Sequence, residues 1–93
     1  VPFTTSAAAR YGWGEAELRL AVRNGAIEDA ILYSDSLESG LVDSVPARLA
    51  AAPCSADGIR LALKPTKADD EASRVMLADL TGLALEALEL EAL

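Results

Sequence analysis

The chain is 93 residues long, 52% apolar and 25% charged, with a formal net charge of −7, which describes one globular domain around a single, modestly stabilising core. The acidic balance supplies no basic patch for neutralising phosphates and so excludes nucleic acid as a partner. No apolar run reaches the ~20 residues of a bilayer span and no basic segment with a signal core opens the sequence, so the expectation is a cytoplasmic domain without a membrane partner.

The chain opens at Val1, which fits a trimmed initiator or a segment of a longer protein, and both readings stay open. Thr5 to Tyr11 reads as a first strand leading into Gly12-Trp13-Gly14. From Glu15 to Arg23 the even positions Ala16, Leu18, Leu20 and Val22 are apolar while Glu15, Glu17, Arg19 and Arg23 alternate with them, the period of two of a half-buried strand. Asn24-Gly25 then suits a two-residue type I′ turn, because both positions need positive φ.

The return strand, Ala26 to Asp35, tests the register. With Val22 facing Ile27, an unbroken ladder would set Leu20 against Asp29 and place a charge in the core. One extra residue at Glu28-Asp29 corrects this, so the sequence predicts a β-bulge there that sets Ala30 against Leu20, Leu32 against Leu18 and Ser34 against Ala16. Ile31 and Tyr33 then share the opposite face, which implies partial cover of that face by another element or a partner.

Beyond Asp35 the spacing becomes helical. Leu41, Val42, Val45 and Leu49 predict a short helix from about Gly40 to Ala51. Pro46 falls near its second turn if Ser39 caps it, or in its first turn if Asp43 or Ser44 does. Ser55 suits the N-cap of a second short helix through about Leu63, broken by Lys64-Pro65. From Ala68 onward, Ala72, Val75, Met76, Leu80, Leu83, Ala84, Ala87 and Leu88 trace one face of a long C-terminal helix. The acidic cluster at 69–71 suits its start, and Gly82 weakens it by roughly 1 kcal/mol. The whole reads as a single α+β domain over residues 1–93, a three-stranded antiparallel sheet followed by helices in two layers.

With no histidine the commonest general base and the usual metal ligand are missing, and the lone Cys54 forms no internal disulfide. There is no phosphate-binding loop and no dinucleotide fingerprint. Residues alone therefore give a module with no catalytic or metal-binding set of its own. Trp13 is either a core aromatic in a tight turn or an exposed anchor for a partner. Asp35 is either an active carboxylate or the head of an Asx-turn. Cys54 lies beside a helix start, where a thiol is activated, yet lone cysteines commonly serve as small buried apolar residues. Lys64 and Lys67 read as solvated side chains or phosphate contacts.

The stretch RYGWGEAELRLAVRNGAIEDAILYSDSL, residues 10–37, resembles the accessory C-terminal domain of bacterial lipoate–protein ligases. It carries that family's aromatic-x-Trp-Gly opening at Tyr11, Trp13 and Gly14. The glycine turn follows at Gly25, the return strand at Ile27 and Ala30, and the closing motif at Ser34 to Leu37. The similarity continues more weakly through ARLAAAPCSADGI, residues 47–59, and together the two stretches cover about half the chain. The resemblance implies a non-catalytic piece of a ligase whose separate large catalytic domain uses ATP and magnesium to make lipoyl-adenylate and transfers the acyl group to a lysine of lipoyl domains. It implies that large domain or subunit as partner, no cofactor held by this chain alone, and Tyr11, Trp13, Gly14 and Asp35 as interface candidates.

The family fold is similar to that of iron–sulfur scaffold and sulfur-acceptor proteins, which leaves a second reading in which Cys54 carries persulfide sulfur. A third is a self-association module, suggested by the leucine-rich tail LALEALELEAL at residues 83–93.

Overall fold

The computed structural model describes residues 3–36 and 39–89. Three strands, β1 (Thr5–Tyr11), β2 (Gly14–Arg23) and β3 (Ala26–Ser34), form an antiparallel sheet in the order β1-β2-β3. Helices α1 (Ser39–Leu49), α2 (Ala56–Leu63) and α3 (Glu71–Ala87) follow. The hairpin turn places Asn24 at φ 54° and Gly25 at φ 77°, the left-handed pair that a type I′ turn requires. The bulge lies where the alternation demands it. Ala21 pairs with Asp29 and Val22 with Ile27, so Glu28 is the extra residue, and Ala30, Leu32 and Ser34 face Leu20, Leu18 and Ala16. One inserted residue keeps Asp29 out of the core and Ile27 in it.

The inward-facing residues of β2 and β3 meet the helices in one core. Leu18, Leu20 and Ile27 from the sheet, Val45 and Leu49 from α1, Ile59 from α2, and Met76, Leu80 and Leu83 from α3 are all fully buried. Each such aliphatic side chain contributes about 2 kcal/mol through water removal. α1 lies over β3 and α3 over β1 and β2. α3 runs antiparallel to β1, tied at one end by the Thr5 hydroxyl donating to the Ala87 carbonyl and at the other by the Tyr11 hydroxyl donating to the Asp79 carbonyl at 3.4 Å. The α1–α2 connection closes on the start of β3. Ala51 N donates to the Ile27 carbonyl at 2.7 Å, Ile27 N to that of Ala52 at 2.8 Å and Cys54 N to that of Gly25 at 2.9 Å.

One open alternative is decided and three expectations change. α1 begins at Ser39, which sets Pro46 inside the helix and deprives the Val42 carbonyl of its usual donor. It ends at Leu49, short of Ala51, because Ala51 turns to φ 73° to join the β3 edge. α3 begins at Glu71, three residues after Ala68, because the Asp70 carboxylate caps it by accepting from Ser73 N at 2.7 Å. Its buried face is also rotated. Ala72 and Val75 face solvent, while Ser73 and Leu85 are buried, because the helix packs against α2 as well as the sheet. α2 matches its expectation, capped by Ser55 accepting from Gly58 N at 3.0 Å.

The second sheet face carries no helix among the described residues. Tyr33 is half exposed and Ile31 partly buried, and the cover over Tyr33 is the Arg19 guanidinium, 5.4 Å from the ring centroid. Arg19 is itself paired with Glu17 at 3.1 Å. No helix among the described residues is long and apolar enough to cross a membrane.

Candidate functional site

The β1–β2 turn, the end of β3 and the middle of α3 meet at one corner of the sheet. Gly14 stands at φ 143°, a region open essentially to glycine alone. A Cβ built there would lie 2.5 Å from the Asp35 carboxylate oxygen Oδ1. That same oxygen accepts from Glu15 N at 2.8 Å, so the carboxylate occupies the space that the missing side chain leaves. Gly12 has neither constraint, since nothing lies within 4 Å of a Cβ built on it. Of the two glycines around the tryptophan, only the second is required by the geometry.

The Trp13 indole N–H donates to Asp79 Oδ2 at 2.9 Å. Its ring stacks on Tyr11 with centroids 5.0 Å apart and an interplanar angle of 14°. Both rings are half-buried and pack against the core. Burial pushes the Tyr11 phenol up from its ordinary pKa, and the negative charges of Asp79 and Glu86 push the same way, so the hydroxyl stays protonated and donates to α3. Trp13 is thus neither a wholly enclosed core ring nor a free one. Its polar edge is held by a carboxylate 66 residues away in the chain, and one side remains at the surface.

Asp35 is exposed and acts across the sheet on Glu15. The local turn beside it is made by Ser34, whose hydroxyl donates to the Glu15 carbonyl at 2.7 Å and accepts from Ser36 N at 3.1 Å. An Asx-turn from Asp35 would close on Leu37, and Leu37 lies outside the described residues, as does the end of the closing Ser34–Leu37 motif. Arg10 pairs with Glu15 at the outer rim. A shallow hollow bordered by Ala9, Ala16, Ser34, Asp35 and Val42 opens beside this rim.

The structure brings Tyr11, Trp13, Gly14 and Asp35 together and keeps Cys54 apart, on the α1–α2 connection at the far end of the hairpin. The Cys54 thiol is partly buried, and burial raises its pKa, which keeps it protonated rather than nucleophilic. Asp79 is the residue that sequence reasoning missed. Its one local sign is a carboxylate beside the apolar face of α3. Among the described residues no three His, Cys, Asp or Glu side chains converge in a way that could hold a metal ion. Among the described residues the corner offers no paired acid and base. It offers a rigid, partly exposed aromatic ledge with carboxylates on either side.

A family model described as bacterial lipoate protein ligase C-terminus matches residues 1–83. The fold is similar to part of the crystal structure of P. falciparum LipL1 in complex with lipoate, with a TM-score of 0.78 and 22% sequence identity. The likeness covers 92% of this chain and 26% of that one, so the chain spans about a quarter of the length of that protein.

Proposed function

The chain belongs to the bacterial lipoate protein ligase C-terminus family, and on that basis we propose that it is the accessory part of a lipoate–protein ligase, assisting a separate catalytic domain in activating lipoate. The family match over residues 1–83 carries this reading. ATP and magnesium would supply adenylation chemistry on the catalytic domain, which then transfers the lipoyl group to a lysine of lipoyl domains. This chain's contribution is to close over the adenylation site, exclude water from a hydrolysable mixed anhydride and hold the partner's loops in place. Both parts would work in the cytoplasm.

The contact proposed for that closure is the Trp13 corner. Tyr11 and Trp13 are already stacked and bonded to α3, so docking against them orders no further side chain. That lowers the entropic cost of a transient interface. Gly14 and Asp35 set the shape of the ledge. The raised pKa of Cys54 gives no support to the sulfur-carrier alternative.

The test is lipoyl-adenylate formation by the catalytic domain of a bacterial lipoate ligase, with ATP, magnesium and lipoate, with and without this chain. Faster adenylation accompanied by a change in emission of the single tryptophan is expected. Absence of both stimulation and binding would overturn the assignment; stimulation with unchanged emission would remove the Trp13 corner from the interface.

A further inference from the structure

α2 and α3 turn Ile59, Leu63, Met76 and Leu80 into the core and leave a groove of about 920 Å³ between their outer flanks. Its floor is apolar. Leu61 is 67% exposed, Leu77 is partly buried, and at Gly82 an added Cβ would meet nothing within 4 Å, so the backbone of α3 lies open there. Its rim carries Arg60, Lys64 and Arg74 against one carboxylate, Asp57.

Three of the eight cations of a chain with net charge −7 therefore line one groove. Elsewhere Arg10, Arg19, Arg23 and Lys67 each face a carboxylate within 4 Å, and Arg48, alone on α1, has no ion pair among the described residues. Arg74 gives one N–H to the Asp69 carbonyl at 3.1 Å. The side chains of Arg60 and Lys64 make no hydrogen bond or ion pair among the described residues. Cations left unpaired beside exposed leucine favour a ligand that brings both carboxylates and an apolar ridge.

We propose that this groove docks an acidic amphipathic helix of a partner polypeptide, with leucine-type side chains at helical spacing on the floor and glutamates or aspartates facing Arg60 and Lys64. A trough between two helices suits the ridge of a third. The net charge of the chain disfavours the competing occupants, since it repels an anionic lipid surface and a second equally acidic copy. A single helix lying in the groove meets mainly the local cations, because charges beyond about 8 Å are screened at physiological salt. Asp79 faces the Trp13 corner while Gly82 and Thr81 face the groove. The two surfaces occupy different flanks of α3 and are usable together.

The test uses the intact chain and a fluorescein-labelled helical peptide of about 18 residues, with leucines along one face and glutamates beside them, read by anisotropy. A matched peptide with lysine in place of glutamate is the control. The glutamate peptide is expected to bind at least about tenfold more tightly than the lysine peptide. It should weaken by a similar factor on Arg60→Glu/Lys64→Glu and, separately, on Leu61→Ser, with unchanged far-ultraviolet circular dichroism. Absence of binding, equal binding of both peptides, or insensitivity to these variants overturns the proposal. So does tighter binding to phosphatidylserine vesicles, or a dimer in sedimentation that the double variant abolishes. The assay contains no catalytic domain, so its failure is separate from failure of the adenylation assay.

Discussion

At the sheet corner, Trp13 and Tyr11 donate to Asp79, Asp35 accepts from Glu15, and Ser34 bridges strand and turn. In the groove on the other flank of α3, the side chains of Arg60 and Lys64 have no partner among the described residues, and Leu61 is largely exposed. Both are mixed polar and apolar surfaces on one helix, yet the first is part of the fold and the second is left over by it. The physical difference is where the polar groups are satisfied: a buried or half-buried donor must find an internal acceptor, while a cation at the rim is satisfied by water until something displaces that water. Residue type alone is therefore a poor guide to function. The tryptophan that attracts attention in the sequence is bound to a carboxylate of the fold, and the plainer arginine and lysine are unengaged.

That contrast can be broken in graded ways. Leu80 is fully buried on α3 and supports both flanks, so Leu80→Ala should cost about 2–5 kcal/mol in urea unfolding and disturb both surfaces. Gly14→Ala should cost about 1–3 kcal/mol through its positive φ and the collision with Asp35. Gly12→Ala should change stability by less than about 0.5 kcal/mol, and equal losses for the two would refute the role given to Gly14.

Trp13→Phe keeps a ring but loses the bond to Asp79, and a loss of about 1 kcal/mol is expected. Asp79→Asn should lower stability in the wild type and have little effect in the Trp13→Phe background, a coupling that a double-mutant cycle measures.

A smaller effect concerns pH. The Asp70 carboxyl is held below its ordinary 3.8, chiefly by its hydrogen bonds from Ser73. Its ionised form is favoured in the folded state, so this contribution is fully present above about pH 4 and is lost as pH falls through the lowered value. Asp70→Asn should flatten that part of the acid-unfolding profile without changing the profile near neutrality. The smallest effect belongs to the groove, where Arg60→Ala/Lys64→Ala should leave stability within about 0.5 kcal/mol, measured by thermal unfolding. A larger loss would mean that these cations serve the fold after all.

Local rules made much of the fold legible. The alternation of β2, the Asn24-Gly25 turn and the need to keep Asp29 out of the core together place the bulge at Glu28-Asp29, and the structure makes Glu28 the extra residue. The Ser55 cap was equally plain. Each is decided by residues within a few positions of one another, through φ preference, period or a capping oxygen. The start of α3 is not legible locally, because three consecutive acidic residues offer more than one cap, and the site is legible only as a set of names.

The sequence by itself determined the strand register, the hairpin, the order of elements and the family resemblance, because these rest on short-range sterics and hydrophobic period. Only the tertiary structure decided that Trp13 answers to Asp79, that Gly14 yields its space to Asp35, and that Arg60 and Lys64 share a groove with the open backbone of Gly82. Those relations join residues far apart in the chain, and they exist only once packing against the sheet and α2 has fixed the rotation of α3.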